Sequence, residues 1–400
     1  MKILMISDVF FPRVNGVSTS IQTFARELLA MGHEVVLIAP QYPEDIDEEF
    51  KVYRIKARQL PLDPEDYLMS KKAIKKIVPD LVRENFDMIH IQTPFIAHYA
   101  GIWLAERLKL PTVVSYHTYF EAYFDKYIKW LPAALLRYVA RTFSRRQCQQ
   151  VDAVISPSSA MQQSLLDYGV SKPISILPTG LVLDNYRRPD NCCFRHQHSI
   201  PKDDAIILYV GRVAHEKNIP FLLEAYQELL ERKSNVWMVI AGEGPALASL
   251  KKLADDLDID GKMIFVGYLD RETELMDCYH SADVFAFASE TETQGLVLLE
   301  AMACELPVVS TASMGTRDVL KDGYGCLVAE AKQQDFVQKL MVMLTNSAIR
   351  ESVINQGREY ILNWTAAEKA SDLVSLYEHL QIRYANDHAE GRVAATVQQS

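Results

Sequence analysis

Short apolar runs, each followed by a stretch of helix-forming residues, recur along almost all of the 400 residues. In the first half these runs are Lys2 to Asp8, Val35 to Ala39, Met88 to Gln92, Thr112 to Thr118, Val151 to Pro157 and Ile174 to Pro178. Ala205 to Gly211, Val236 to Ala241, Met263 to Tyr268, Asp283 to Phe287 and Pro307 to Thr311 repeat the pattern in the second half. Runs that are apolar on both faces read as strands of a parallel sheet covered by helices on either side. The expected helices are Ser18 to Met31, His98 to Lys109, Ser158 to Tyr168, Ile219 to Glu231 and Thr273 to His280, then Ala331 to Thr345, Ala348 to Leu362 and Ala366 to Tyr384. Strand, helix, strand in succession gives a right-handed doubly wound α/β unit.

A chain of this length exceeds one ordinary core, and its 49% apolar content is enough for two. The rhythm breaks where aliphatic residues thin out around Pro189 and Pro201. The expected organisation is a first domain over 1–184, a linker over 185–201 and a second domain over 202–365, closed by a helix over 366–384 and a disordered polar tail over 385–400.

The formal net charge of −10 argues against a general attraction to nucleic acid. The six cysteines contain no CxxC pair and no regular framework, which points to a reducing compartment. Cys192, Cys193, His196 and His198 cluster in the linker, but adjacent cysteines suit a tetrahedral metal badly, so incidental composition is the simpler account. No run of about eighteen apolar residues occurs, so the chain is expected to be soluble or to lie on a membrane rather than span one.

The run Asp283 to Phe287 enters a polar loop and leaves through Gly295 into helix formers. Backbone N–H groups at that helix start, near Gly295, Leu296 and Val297, make a natural cradle for phosphate. Glu292 falls in the loop and Glu300 on the helix, roughly 7–8 Å from the helix start, about the span of a diphosphate gripped at each end. Leu296 to Met302 is apolar on nearly every side, so Glu300 is either a buried carboxylate in need of hydrogen-bond partners or a solvated one on a buried-looking helix.

Gly16 stands at the carboxyl edge of the first strand, where a glycine lets the backbone approach a ligand or merely turns the chain. His117 ends a buried strand at the same edge and is either a satisfied structural histidine or a functional one. Lys126 to Gln150 carries Lys126, Lys129, Arg137, Arg141, Arg145 and Arg146 with no acidic residue. A helical projection groups Leu131, Leu135, Val139 and Phe143 on one face and Arg137, Arg141 and Arg145 roughly opposite, with Tyr127, Trp130 and Tyr138 as interfacial aromatics. That pattern fits a helix lying in an anionic bilayer surface; an ordinary surface helix is the alternative.

In the second half, Arg212 and Lys217 follow the strand ending at Gly211, placing two cations at the sheet's carboxyl edge, where they can either contact a leaving diphosphate or remain solvated. Gly242-Glu243-Gly244-Pro245 does not complete a dinucleotide fingerprint, and no P-loop sequence is present. An NAD-dependent dehydrogenase needs that fingerprint, so its absence argues against this class.

Glu292-x7-Glu300 with Glu300-Ala301-Met302-Ala303, Gly211-Arg212 with Lys217, Ala241-Gly242-Glu243-Gly244 and Phe11-Pro12-Arg13-Val14-Asn15-Gly16-Val17 together resemble the retaining family 4 glycosyltransferases. The resemblance covers Met1 to about Tyr384 and implies the GT-B fold, two Rossmann-like domains facing a central cleft. It implies a nucleotide-sugar donor, no separate cofactor and no catalytic metal. It further implies that Glu292 touches the donor sugar, Glu300 binds ribose, and Arg212 and Lys217 hold the diphosphate with help from Gly16, Gly242, Glu243, Gln294, Gly295 and Leu296. His117 matches a histidine near the reacting sugar. Transfer with retention then follows from same-face attack, the leaving phosphate taking the acceptor's proton.

Within that family, Ser115 to Tyr123 followed by the basic aromatic segment resembles the diacylglycerol glucosyltransferases of bacterial membranes. This implies UDP-glucose as donor, a lipid acceptor and a peripheral position on the inner face of the cell membrane, with Tyr119, Tyr123, Trp130, Arg137, Arg141 and Arg145 toward membrane and acceptor. Mannosyltransferases using GDP-mannose share the Asn15-Gly16-Val17 opening, and a sugar-nucleotide sensor without turnover would carry the same binding residues.

Overall fold

The computed structural model of the chain describes residues 1–44, 47–60, 63–117, 119, 132–190, 192–271 and 273–397. These form two compact units, one from the residues up to Gly180 together with the chain from Ala366, the other from Leu181–Thr365.

The first unit holds strands β1 (Lys2–Ile6), β2 (Glu34–Pro40), β3 (Lys51–Ile55), β4 (Ala57–Leu60), β5 (Asp63–Met69), β6 (Met88–Ile91), β7 (Thr112–Ser115), β8 (Ala153–Ser156) and β9 (Ile174–Ile176). Seven of them form one sheet in the order β3-β2-β1-β6-β7-β8-β9, while β4 and β5 pair as a separate hairpin. Every ladder of the large sheet is parallel. Helix Gly16–Ala30 packs its buried Ile21, Phe24, Ala25 and Leu28 onto it, and Asn15 caps the helix by accepting from the Ser18 N–H. Ala370, Leu373, Tyr377 and Leu380 of the last helix belong to the same core.

The second unit holds β10 (Ala205–Val210), β11 (Val236–Ala241), β12 (Met263–Gly267), β13 (Val284–Phe287), β14 (Val308–Thr311) and β15 (Cys326–Ala329), ordered β12-β11-β10-β13-β14-β15 and all parallel. The strand order reverses between β1 and β6 in one sheet and between β10 and β13 in the other. Both are doubly wound Rossmann-like sheets, in which ligands bind beyond the strand carboxyl ends at such a reversal.

Several elements depart from the sequence expectation. The stretch 185–201, expected as a linker, packs on the second unit. Asp277 Oδ2 accepts from the N–H groups of Cys193 and Phe194 at 2.8 Å each, Arg195 bonds Asp283, and Phe194 and Ile200 are buried. A few well-placed polar anchors therefore hold a segment whose composition reads as a spacer. The last helix runs Ala366–Val397, so the tail expected to be disordered from 385 continues as helix to that point. β3, the hairpin and helix Lys71–Arg83 have no counterpart among the apolar runs, because their strands are interrupted by polar residues and partly exposed and the helix is lysine-rich. β15 is not among those runs either; it follows directly on the turn glycines Gly323 and Gly325.

Candidate functional site

In the second unit the loops after β10 and β13 flank the strand-order reversal and are pinned to each other. Lys217 Nζ donates to Glu292 Oε1 at 2.6 Å, Thr291 Oγ1 donates to the Glu216 carbonyl at 3.3 Å, and Asn218 Nδ2 donates to the Ala288 carbonyl at 3.3 Å. Asn218 adopts the left-handed conformation, φ 53°, which asparagine tolerates better than most residues. Lys217 and Glu292 are both only partly exposed, so water screens their pairing weakly. Arg212, five residues before Lys217, is exposed, and its carbonyl accepts from the Tyr209 hydroxyl at 3.2 Å.

Helix Leu296–Ala303 starts at Gly295, which has φ +91° and offers no side-chain cap, so the first-turn N–H groups are left without competition from a capping side chain. Gln294 is buried, and Leu296 is partly so. The loop before this helix is backed by Gly315, whose N–H donates to the Glu292 carbonyl at 2.9 Å. A Cβ on Gly315 would lie 2.0 Å from the Thr293 carbonyl oxygen, so the close backbone approach admits glycine alone.

The Gly242-Glu243-Gly244 turn has a similar explanation. Gly211 and Val213 donate to the carbonyls of Ala241 and Glu243 at 3.0 and 2.8 Å, and a Cβ on Gly242 would meet the Gly211 oxygen at 2.0 Å. These glycines let two strand-end loops abut, and they leave the Glu243 side chain exposed.

Glu300 is buried, at 2% exposure. Its carboxylate is met by protein groups: Arg271 Nη2 and the Tyr186 hydroxyl (3.5 Å) donate to Oε1, and the Tyr279 hydroxyl donates to Oε2 at 3.0 Å. The Glu300 charge, with burial opposing it, pushes the Arg271 guanidinium above its ordinary range, and burial pushes the Tyr279 phenol up as well. Arg271, Tyr279 and Tyr186 escape a reading by sequence because they lie on three separate segments; the signal available was the need of a buried Glu300 for donors.

In the first unit Gly16 opens helix Gly16–Ala30, and a Cβ there would touch nothing within 4 Å among the described residues. His117 lies past the end of β7 with Nε2 3.3 Å from Gln92 Oε1. Burial lowers its imidazole to about 4, although part of the residue remains exposed. Beside it His90 is fully enclosed, bridging the Tyr377 hydroxyl at 2.6 Å and the Ser115 hydroxyl at 2.7 Å, and burial lowers it to about 3. Asp8, which the sequence did not single out, accepts from the N–H groups of Phe95 and Ala97 and from Thr93 Oγ1, capping helix Ile96–Leu108 from the loop after β1. Burial raises its carboxyl to about 6.

Part of the basic segment falls within the described residues. Tyr123 and Trp130 lie outside the described residues, and Tyr119 is partly exposed. In helix Ala133–Gln149 Leu135 and Val139 are exposed, as is Tyr138, the outward apolar face that the expected surface-lying helix calls for, while Leu136, Ala140, Ser144, Gln147 and Cys148 are buried. The buried stripe keeps helical spacing but is displaced by one residue. Small Ala140 and Ser144 permit close packing on the inward face, and Ser144 bonds the Tyr116 hydroxyl at 2.6 Å. Arg137, Arg141 and Arg145 are exposed with Arg146, although Arg141 lies over the Tyr168 ring and Arg145 against Gly169.

A second basic, aromatic surface was missed. Lys71, Lys72, Lys75 and Lys76 are exposed on one helix, with Lys71 over Tyr99 and Lys75 over Trp103 of the helix beside it, each 5.7 Å from the ring centre. Arg107 approaches Trp103 as well, and Phe95 and Tyr99 are exposed. Among the described residues no helix is long and apolar enough to cross a membrane, and no group of three or more His, Cys, Asp or Glu could hold a metal ion.

Two family profiles match the chain, one described as Glycosyltransferase Family 4 over residues 14–185 and one as Glycosyl transferases group 1 over residues 193–360. An alpha-monoglucosyldiacylglycerol synthase of Streptococcus pneumoniae is 33% identical over 80% of this chain and 74% of its own length. A GDP-mannose-dependent alpha-mannosyltransferase of Corynebacterium glutamicum is 27% identical over 82% of this chain and 77% of its own. Among solved structures, Anabaena HepE in complex with UDP and glucose superimposes with a TM-score of 0.74 at 16% identity, covering 95% of this chain and all of that one, a likeness of fold. The chain belongs to glycosyltransferase family 4, nucleotide-sugar-dependent transferases built on the GT-B fold.

Proposed function

We propose that the chain transfers a hexose, with retention of anomeric configuration, from UDP-glucose to a membrane lipid such as diacylglycerol. The observation that carries the donor half is the junction of Lys217 and Glu292 beside the uncapped start of helix Leu296–Ala303, at the strand-order reversal of the second sheet. Lys217, Arg212 and the helix N–H groups neutralise the diphosphate as it departs, and electrostatic stabilisation of this kind is often the largest single contribution to catalysis. Glu292 holds hydroxyls of the sugar, Glu300 the ribose, and Gly16, Gly242, Glu243, Gln294, Gly295 and Leu296 complete the donor contacts. The departing phosphate takes the acceptor's proton while the acceptor oxygen attacks the same face of the sugar. His117, held neutral, accepts or donates a hydrogen bond at the reacting sugar rather than carrying charge.

The acceptor half is supported by the resemblance to the Streptococcus synthase and by the two exposed basic surfaces of the first unit, which suit an anionic bilayer. Arg137, Arg141 and Arg145 contribute on one, Lys71, Lys72, Lys75 and Lys76 on the other, with Tyr119, Tyr123 and Trp130 toward the acceptor. The protein then sits on the inner face of the cell membrane. Mannosyl transfer from GDP-mannose is the alternative, favoured by the relatedness to the Corynebacterium enzyme.

The test incubates the full chain with diacylglycerol in anionic vesicles and either UDP-glucose or GDP-mannose, then analyses the lipid by mass spectrometry and NMR. An α-glucosyl lipid from UDP-glucose alone supports the proposal. A mannosyl lipid selects the alternative, a β-linked product overturns retention, and nucleotide binding without turnover of either donor marks a sensor.

A further inference from the structure

Glu300 is the one charged residue of helix Leu296–Ala303, and it is buried at 2% exposure. An ionised carboxylate offers about four acceptor positions. Arg271 and Tyr186 take two on Oε1, and Tyr279 takes one on Oε2. Among the described residues no donor meets the second position on Oε2. A side chain so enclosed, with three anchors from the segment after β12, the helix Glu274–Ser281 and the turn at Tyr186, has a single orientation in which to present that last lone pair. Arg271 is the only cation among the three anchors, and its side chain is itself 31% exposed, so it joins the buried carboxylate to the solvent-facing side of the loop.

We infer that Arg271, with Tyr279, is a positioning residue that orients Glu300 to accept one hydrogen bond from one ribose hydroxyl of the donor, and so sets the discrimination between ribonucleotides and deoxyribonucleotides. This rests on the proposal that Glu300 meets the ribose. It differs from a diol clamp, in which both carboxylate oxygens would be available and both hydroxyls would count equally.

The experiment titrates UDP, 2′-deoxy-UDP and 3′-deoxy-UDP into the full chain and its variants by calorimetry, with GDP and its deoxy forms in parallel. In the unsubstituted chain one deoxynucleotide should bind about 10-fold to 100-fold more weakly than the ribonucleotide, as expected for one hydrogen bond to a charged acceptor, and the other should bind nearly as well. Arg271→Met should cut that preference to under about threefold while binding of the discriminated deoxynucleotide changes little, because an anchor that only supports the fold would weaken both alike. Arg271→Lys should restore part of the preference. Should Arg271→Met fail to fold, Tyr279→Phe, which frees the presenting oxygen, gives the same comparison. Preference retained in full by Arg271→Met or, in its place, Tyr279→Phe overturns the inference alone. Equal binding of all three nucleotides by the unsubstituted chain overturns the ribose assignment and the inference together, and equal losses for both deoxy forms replace it with the diol clamp.

Discussion

Lys217 Nζ lies 2.6 Å from Glu292 Oε1, so the cation assigned to the diphosphate and the carboxylate assigned to the sugar are partners before any donor arrives. Each side chain is about four-fifths shielded, at 20% and 16% exposure, and each holds the other in place. The carboxylate thus stands in for the anion the lysine is to receive. Removing it should free Lys217 for a diphosphate while removing the grip on the hexose. Glu292→Gln is therefore expected to bind free UDP within about threefold of the unsubstituted chain, yet to lose about 10²- to 10³-fold in transfer rate, the scale for one preorganised electrostatic contact. Calorimetry and a steady-state transfer assay check the two halves; a parallel loss of UDP binding would make Glu292 a phosphate-site support.

The backbone of the same loop offers an independent handle. Gly315→Ala places a methyl group 2.0 Å from the Thr293 oxygen, which neither backbone can absorb without moving. The loop bearing Glu292 and Gln294 should shift, raising KM for the donor about tenfold or more, with a stability loss of about 1–3 kcal/mol, the cost typical of overpacking. Donor KM and urea midpoints measure both.

His90 and His117 give the protein a signed pH response. His117 and His90 have folded values lowered to about 4 and about 3, below the ordinary 6.5. Between those values and 6.5 the unfolded chain binds more protons than the folded one, so their contribution to stability is complete above pH 6.5 and declines as pH falls. Asp8, raised to about 6, acts oppositely: its folded form holds the extra proton between about 4 and 6, so its contribution declines as pH rises through that window. His117→Gln should lessen the loss of urea stability between pH 7.5 and pH 5, and Asp8→Asn should steepen it. Slopes unchanged in both variants would contradict the burial of these groups.

How much of this was visible in the chain itself depends on the kind of signal. The strands at Ala205–Val210 and Val236–Ala241 are unbroken apolar runs, and parallel strands buried on both faces leave that trace. Lys217, Glu292 and Gly295 could be picked out because strand-end positions of such sheets face the ligand. Arg271 and Tyr279 could not, since their link to Glu300 exists only after three segments fold together. The apolar face of helix Ala133–Gln149 could be read from its spacing, whereas the face that packs inward could not, because Ala140 and Ser144 bury through small size rather than apolar character. The anchoring of 185–201 by Asp277 was hidden for a similar reason, one carboxylate capping two backbone N–H groups about eighty residues away in sequence.

The lysine surface and the arginine surface should respond differently to charge reversal. Each basic residue near an anionic bilayer contributes about 1 kcal/mol. Lys71, Lys72, Lys75 and Lys76, all exposed, should together shift vesicle affinity by about 10²-fold or more when changed to Glu. Arg137, Arg141 and Arg145 changed to Glu should cost less, because Arg141 and Arg145 lie against Tyr168 and Gly169. Sedimentation with phosphatidylglycerol vesicles at low and high salt reports both, and salt-independent, unchanged binding in the lysine variant would remove that surface from the membrane contact.

The central claim is that the loops after β10 and β13 hold a nucleoside diphosphate through Arg212 and Lys217. Its most direct test is calorimetric titration of UDP and GDP into the unsubstituted chain and into Arg212→Met with Lys217→Met combined. The account predicts that the nucleotide bound by the unsubstituted chain loses at least about 10²-fold in affinity in the double variant, with the fold intact by circular dichroism, as two charge-assisted contacts imply. Affinity preserved within about threefold in a folded double variant would contradict it.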